Sequence, residues 1–203
     1  CIISCEGYSK TVSCDVNVTP RNLGNENDSS LSFDYVKSYA YNGEARKPGV
    51  YVKFNDTYLK DGDFTVTYPD ETTNVGEKEM TVTGLVNFSG ERKLKYTITP
   101  CTTIPTVTLS QTEYTYDGQE KRPTATVIVG GRTLTEGKDY EISYNNNRNA
   151  GTATVTVKGC GNYGFETMNR PFTIKKADSV VETAPGAETL VYDGLSHYLV
   201  TGG

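Results

Sequence analysis

Apolar and polar positions along this chain alternate with a period of two. Val50, Val52 and Phe54 alternate with Tyr51 and Lys53, and Phe64, Val66 and Tyr68 with Thr65 and Thr67. Further on, Tyr140, Ile142 and Tyr144 alternate with Glu141 and Ser143, and Ala153, Val155 and Val157 with Thr154 and Thr156. Successive side chains of a strand point to opposite faces, so each segment predicts a strand with one buried and one solvated side. No window carries apolar residues at helical spacing over three turns, which predicts an all-β protein with very little helix. Small antiparallel β-sandwiches fit the short strands and the frequent turn signals between them. A β-grasp fold is the alternative, and it needs a helix that the pattern does not supply.

The turn signals repeat. Tyr41-Asn42-Gly43, Tyr116-Asp117-Gly118 and Tyr192-Asp193-Gly194 stand 75 and then 76 residues apart. Asn-Gly and Asp-Gly mark turns because both residues tolerate positive φ. Lys47-Pro48 returns as Arg122-Pro123, Asp63-Phe64 as Asp139-Tyr140, and Val75-Gly76 as Ala150-Gly151. A closing segment occurs three times, around Gly7-Tyr8, Asn87-Phe88 and Asn162-Tyr163. Its last copy carries one extra residue, which predicts a bulge. A fixed period with shared punctuation predicts repeated modules. The expected division is 1–20 as the closing strands of a preceding module, 21–100 and 101–176 as complete modules, and 177–203 as the opening of another. The first residues lack the basic start and apolar core of a signal peptide, and the chain reads as a piece of something longer.

Composition narrows the partners. The 203 residues carry a net charge of −5. That argues against nucleic acid, which needs a basic stripe to neutralise phosphates. No run of eighteen apolar residues offers a membrane-spanning helix. Five cysteines leave one over after pairing. Cys5 and Cys14 would face each other in a hairpin turning at Ser9-Lys10, and Cys101 with Cys160 is a second candidate bridge. Cys1 has no assigned partner.

The stretches Tyr116–Pro123, Gly131–Tyr140, Asn149–Val157 and Gly161-Asn162-Tyr163 resemble the tandem Ig-like repeats of large Gram-positive surface proteins, common in gut Clostridia. The resemblance covers both complete modules, and Tyr192–Gly203 looks like the opening of a related repeat. It implies Ig-like sandwiches on a bacterial cell surface or in a secreted protein. Such repeats serve as stalks, adhesin modules and spacers in surface enzymes, with no shared catalytic residue. Some proteins of this class bind host glycoproteins, immunoglobulins included, so the resemblance points to an immunoglobulin or mucin as partner.

The residues themselves offer little catalysis. His197, the one histidine, follows a turn and reads as a surface strand residue. Asp61 and Asp63 flank Gly62, and Glu136, Gly137 and Asp139 repeat the arrangement. Turn hydrogen bonds explain them better than paired catalytic carboxylates or calcium. No cofactor or metal site is expected, and the chain reads as a non-enzyme. Differences between the repeats are more informative. Residues shared by both modules serve the fold, and residues that differ are free to bind. Tyr51 stands where the second module has Thr126, and Tyr58 where it has Thr133. Tyr35 has no counterpart, and Lys53 and Asn55 lie nearby. These five residues form the expected partner-binding face, since exposed Tyr gives large contact area at low entropy cost. A host protein or glycoprotein, a passive spacer role, and an accessory carbohydrate-binding role for a surface glycosidase all remain open.

Overall fold

A computed structural model describes residues 2–5, 8–11, 17–180, 183, 185–187, 189–197 and 200–201. Every regular element among them is a β-strand, so the protein is all-β and the helix of a β-grasp fold has no counterpart there. The chain divides into two compact units, Cys1–Thr102 with Cys160–Gly164, and Thr103–Gly159 with Phe165–Gly203.

The first unit holds β1 (Ile2–Cys5), β2 (Tyr8–Thr11), β3 (Arg21–Asn22), β4 (Leu31–Asp34), β5 (Ser38–Ala40) and β6 (Tyr51–Phe54). It continues with β7 (Thr57–Tyr58), β8 (Phe64–Thr67), β9 (Gly76–Gly84), β10 (Phe88–Ser89) and β11 (Glu91–Thr99). One sheet runs β4-β6-β7, a second β5-β11-β9-β8, and β10 pairs parallel with β3. Both sheets contribute to one core. Val52 of the first and Val82 of the second pack with Leu23, ringed by Leu31, Phe33, Phe64 and Leu94. A neighbouring cluster joins Met80, Tyr96 and Ile98. Each such side chain contributes roughly 1.5–3 kcal/mol on full burial. Two sheets sharing one core in this way are compatible with a β-sandwich.

The second unit holds β12 (Thr106–Leu109), β13 (Glu113–Thr115), β14 (Ala125–Val129), β15 (Arg132–Thr133), β16 (Tyr140–Asn145), β17 (Gly151–Gly159), β18 (Met168–Lys175), β19 (Gly186–Ala187) and β20 (Val200–Thr201). Its sheets run β12-β14-β15 and β13-β18-β17-β16, the strand order of the first unit over again. Both four-stranded sheets carry a parallel pair at the same place, β5 with β11 and β13 with β18.

The repeated punctuation has a physical basis. The side chains of Asn42, Asp117 and Asp193 each accept a backbone N–H two residues on, at 2.9–3.0 Å. The glycine between takes φ of 84°, 79° and 82° at Gly43, Gly118 and Gly194, where a Cβ would be strained. Tyr144 donates its hydroxyl to the buried Pro123 carbonyl at 2.9 Å, and Tyr68 does the same to Pro48. Shared tyrosines thus satisfy carbonyls that the proline corners leave unpaired.

Three expectations need correction. The β1–β2 register sets Cys5 opposite Tyr8, so Ser9 and Lys10 lie in a strand and not at the turn. Cys14 and Cys1 lie outside the described residues, and with Cys14 the Cys5–Cys14 pairing. Cys101 and Cys160 are half-buried thiols not bridged to each other. The register explains it, because Cys101 sits beside Tyr163 in a parallel bridge while Cys160 lies at the far end of a turn. Finally, the extra residue of the last closing segment is no strand bulge. The repeat offset changes from 75 at Asn87/Asn162 to 76 at Thr99/Lys175, across the irregular connection before β18.

Candidate functional site

Alternation along β6 buries Val52 and turns Tyr51 and Lys53 outward. The hairpin to β7 is made by Asn55 and Asp56 at φ of 46° and 62°, the pairing that a two-residue turn matched to strand twist requires. That turn sets Lys53 opposite Tyr58. Tyr51 is then the diagonal neighbour of Tyr58, and the rings meet edge-on with centroids 6.3 Å apart. The Lys53 ammonium lies 4.6 Å from the Tyr58 ring centre. Tyr51 and Tyr58 remain 63% and 55% exposed, among the most exposed aromatic side chains of the first unit.

The face is concave. Asp34, opposite Tyr51 on β4, joins Tyr51, Tyr58, Leu59 and Asp61 around a groove of about 570 Å³. Asn55 is exposed at the hairpin tip, and its backbone N–H donates to Ser30 at 2.9 Å. Tyr35 is placed differently. It is half-buried against the Met80 cluster and donates its hydroxyl to the Lys95 carbonyl at 3.1 Å. It reaches only a shallower recess with Asp34, Val36, Gly49 and Tyr51. The structure therefore brings Tyr51, Lys53 and Tyr58 together, sets Asn55 at their edge, and turns Tyr35 largely into the fold. Asp34 escaped the sequence reading, and Asp61 figured there only as a turn residue. The signal for Asp34 was its place at the polar end of the alternating β4.

In the second unit Thr126 pairs with Thr108 and Thr133 with Ile128. These are the ladder positions of Asp34–Tyr51 and Lys53–Tyr58, so the same face there is small and uncharged. The acidic turns have backbone roles. Asp63 and Asp139 accept the N–H of Lys60 and Thr135, both at 2.9 Å. His197 holds both carboxylate oxygens of Asp193 at 2.8 Å, outside any strand. That contact holds the Asp193 carboxyl below its usual range. Among the described residues no three His, Cys, Asp or Glu side chains gather as metal ligands, and no helix is long and apolar enough to cross a membrane.

No family model matches the chain, and no curated protein matches it.

Proposed function

We propose that the chain is a run of small Ig-like modules from a Gram-positive cell-surface protein, and that the Tyr51–Tyr58 face binds a host protein or glycoprotein. The observation that carries this reading is the edge-on tyrosine pair, more than half exposed beside Lys53, where the second unit has two threonines. Two rigid, exposed tyrosine rings match the composition of protein-recognition hot spots. Immobilised polyclonal immunoglobulin and mucin, each exposed to the full chain at roughly 50 µM, test it by surface-based binding. Saturable binding to either supports a host-binding module. No binding to both leaves a spacer role.

The groove favours a second reading. An aromatic wall facing Asp34 and Asp61 offers a stacking surface and hydroxyl acceptors, the combination a sugar ring uses. Under that reading mucin binding disappears once its glycans are removed, and immunoglobulin without glycans is not captured.

A further inference from the structure

The groove beside the tyrosine pair combines three kinds of surface. Val50, Leu59 and Phe64 line it as apolar residues, half-buried where they pack against the core. Tyr51 and Tyr58 supply exposed ring surface. Asp34 and Asp61 supply carboxylates, both exposed. Asp34 lies directly opposite Tyr51 across the β4–β6 ladder, so that carboxylate and that ring share one face.

Both carboxylates are unengaged. Asp28, Asp63, Asp117 and Asp139 each accept a backbone N–H. Among the described residues the side chains of Asp34 and Asp61 take part in no hydrogen bond or ion pair. No lysine or arginine lines the groove. The basic residues close by in sequence are placed otherwise, with Lys37 over the Tyr35 ring and Lys53 over the Tyr58 ring. Two like charges facing one space, with no cation of the chain between them, favour a cation from outside.

The rest of the lining narrows that cation. An apolar surface beside carboxylates matches a side chain with an apolar stem and a charged head. Ring surface then selects arginine over lysine. A planar guanidinium stacks on tyrosine and forks onto a carboxylate, whereas an ammonium is a strongly hydrated point charge. The second unit lacks the set. Thr126, Thr133 and Thr108 hold the positions of Tyr51, Tyr58 and Asp34, and the acid of Asp61 alone returns, as Glu136. Both rings and the carboxylate opposite them are thus present together in one unit and absent together from the other.

We propose, resting on the host-protein reading of this face, that the groove takes an arginine side chain of the partner protein. Its stem lies along Leu59 and Phe64, and its guanidinium meets Asp34, Asp61 and the tyrosine rings. Arginine is also among the residues that anchor protein interfaces against tyrosine-rich surfaces. One side chain in an open groove gives a dissociation constant near ~1 mM for a short peptide, and the surrounding face supplies the remaining affinity for a whole partner.

Two end-blocked peptides of four glycines around a central arginine or citrulline test the assignment, since citrulline keeps the shape and loses the charge. In NMR spectra of the labelled full chain, the arginine peptide is expected to move the Tyr51, Tyr58 and Leu59 amide resonances with a half-point near ~1 mM. The citrulline peptide is expected to need at least ~5-fold more. Asp34→Asn with Asp61→Asn is expected to remove that difference, and because neither side chain is engaged the fold does not depend on them. Equal movement by both peptides, no movement, or stronger movement by methyl glucoside overturns the proposal. Capture of immunoglobulin and mucin by the same variant distinguishes this from the host-protein reading. Capture that the variant loses by at least ~5-fold supports the arginine contact. Undiminished capture overturns it and leaves the host-protein reading standing. No capture by the wild-type chain, with the arginine preference intact, refutes the host partner and not the chemistry of the groove.

Discussion

Replacing Tyr51 and Tyr58 together by threonine converts the face of the first unit into that of the second. The fold loses little. Both rings are more than half exposed, so truncation removes only part of a buried side chain. The edge-on ring pair is worth about 0.5–1.5 kcal/mol, and an exposed Lys–Tyr contact about 0.5–1. Threonine keeps a high strand preference and recovers some of this. The expected loss is about 1 kcal/mol, or ~4–8 °C in a unit this small. Binding behaves differently, since a central tyrosine contributes about 2 kcal/mol or more at a hot spot. Under the proposed function, losing both weakens binding to immunoglobulin or mucin by at least ~10-fold, which is ~1.4 kcal/mol. Binding curves and thermal scans on the same preparation separate the two effects. Unchanged affinity in a folded variant refutes the comparison of repeats as a guide to the binding face.

Three further outcomes follow from the geometry. Glu71 accepts from Lys78 and from the Asn74 and Thr73 N–H groups, which lower its pKa to about 2. A depressed carboxyl stabilises in full above its ordinary value of 4.5 and loses that contribution as pH falls toward 2. Half-exposed, it is worth no more than ~1 kcal/mol, and Glu71→Gln removes that slope from urea midpoints measured across the window. Tyr144→Phe strands the carbonyl of buried Pro123 and costs about 1–2 kcal/mol by chemical denaturation, with Tyr68→Phe costing the same in the first unit. Val86→Gly relieves a β-branched residue at φ 56° and raises stability by about 0.5–1 kcal/mol in the same assay.

Strand faces were legible because the core demands period two. Val52 is buried and Tyr51 exposed, and Ala153, Val155 and Val157 all point inward, as the alternation required. Turn chemistry was legible for a similar reason, since Asx side chains act on the backbone two residues away. Tyr35 was not, because it lies past the end of β4, where alternation stops constraining direction and a distant strand supplies the Lys95 carbonyl. Asp61 was legible as a turn residue but not as a groove residue, for the same reason. Its place in the groove depends on how β6 and β7 pack beside the loop before β8, which is long-range geometry. The Cys101–Cys160 bridge failed on register, a property of pairing that spacing alone does not encode.

The parallel pairs β5–β11 and β13–β18 bear on pulling force. Tension that has passed β4 or β12 draws β5 and β11 in opposite directions along their length, and likewise β13 and β18. Their bonds, with the flanking Tyr41–Thr99 and Tyr116–Lys175 contacts, then share the load in shear and break together instead of peeling one at a time. An all-antiparallel hairpin pulled from its open end would unzip bond by bond. Each of these pairs is therefore a clasp that resists traction better than a hairpin of the same length.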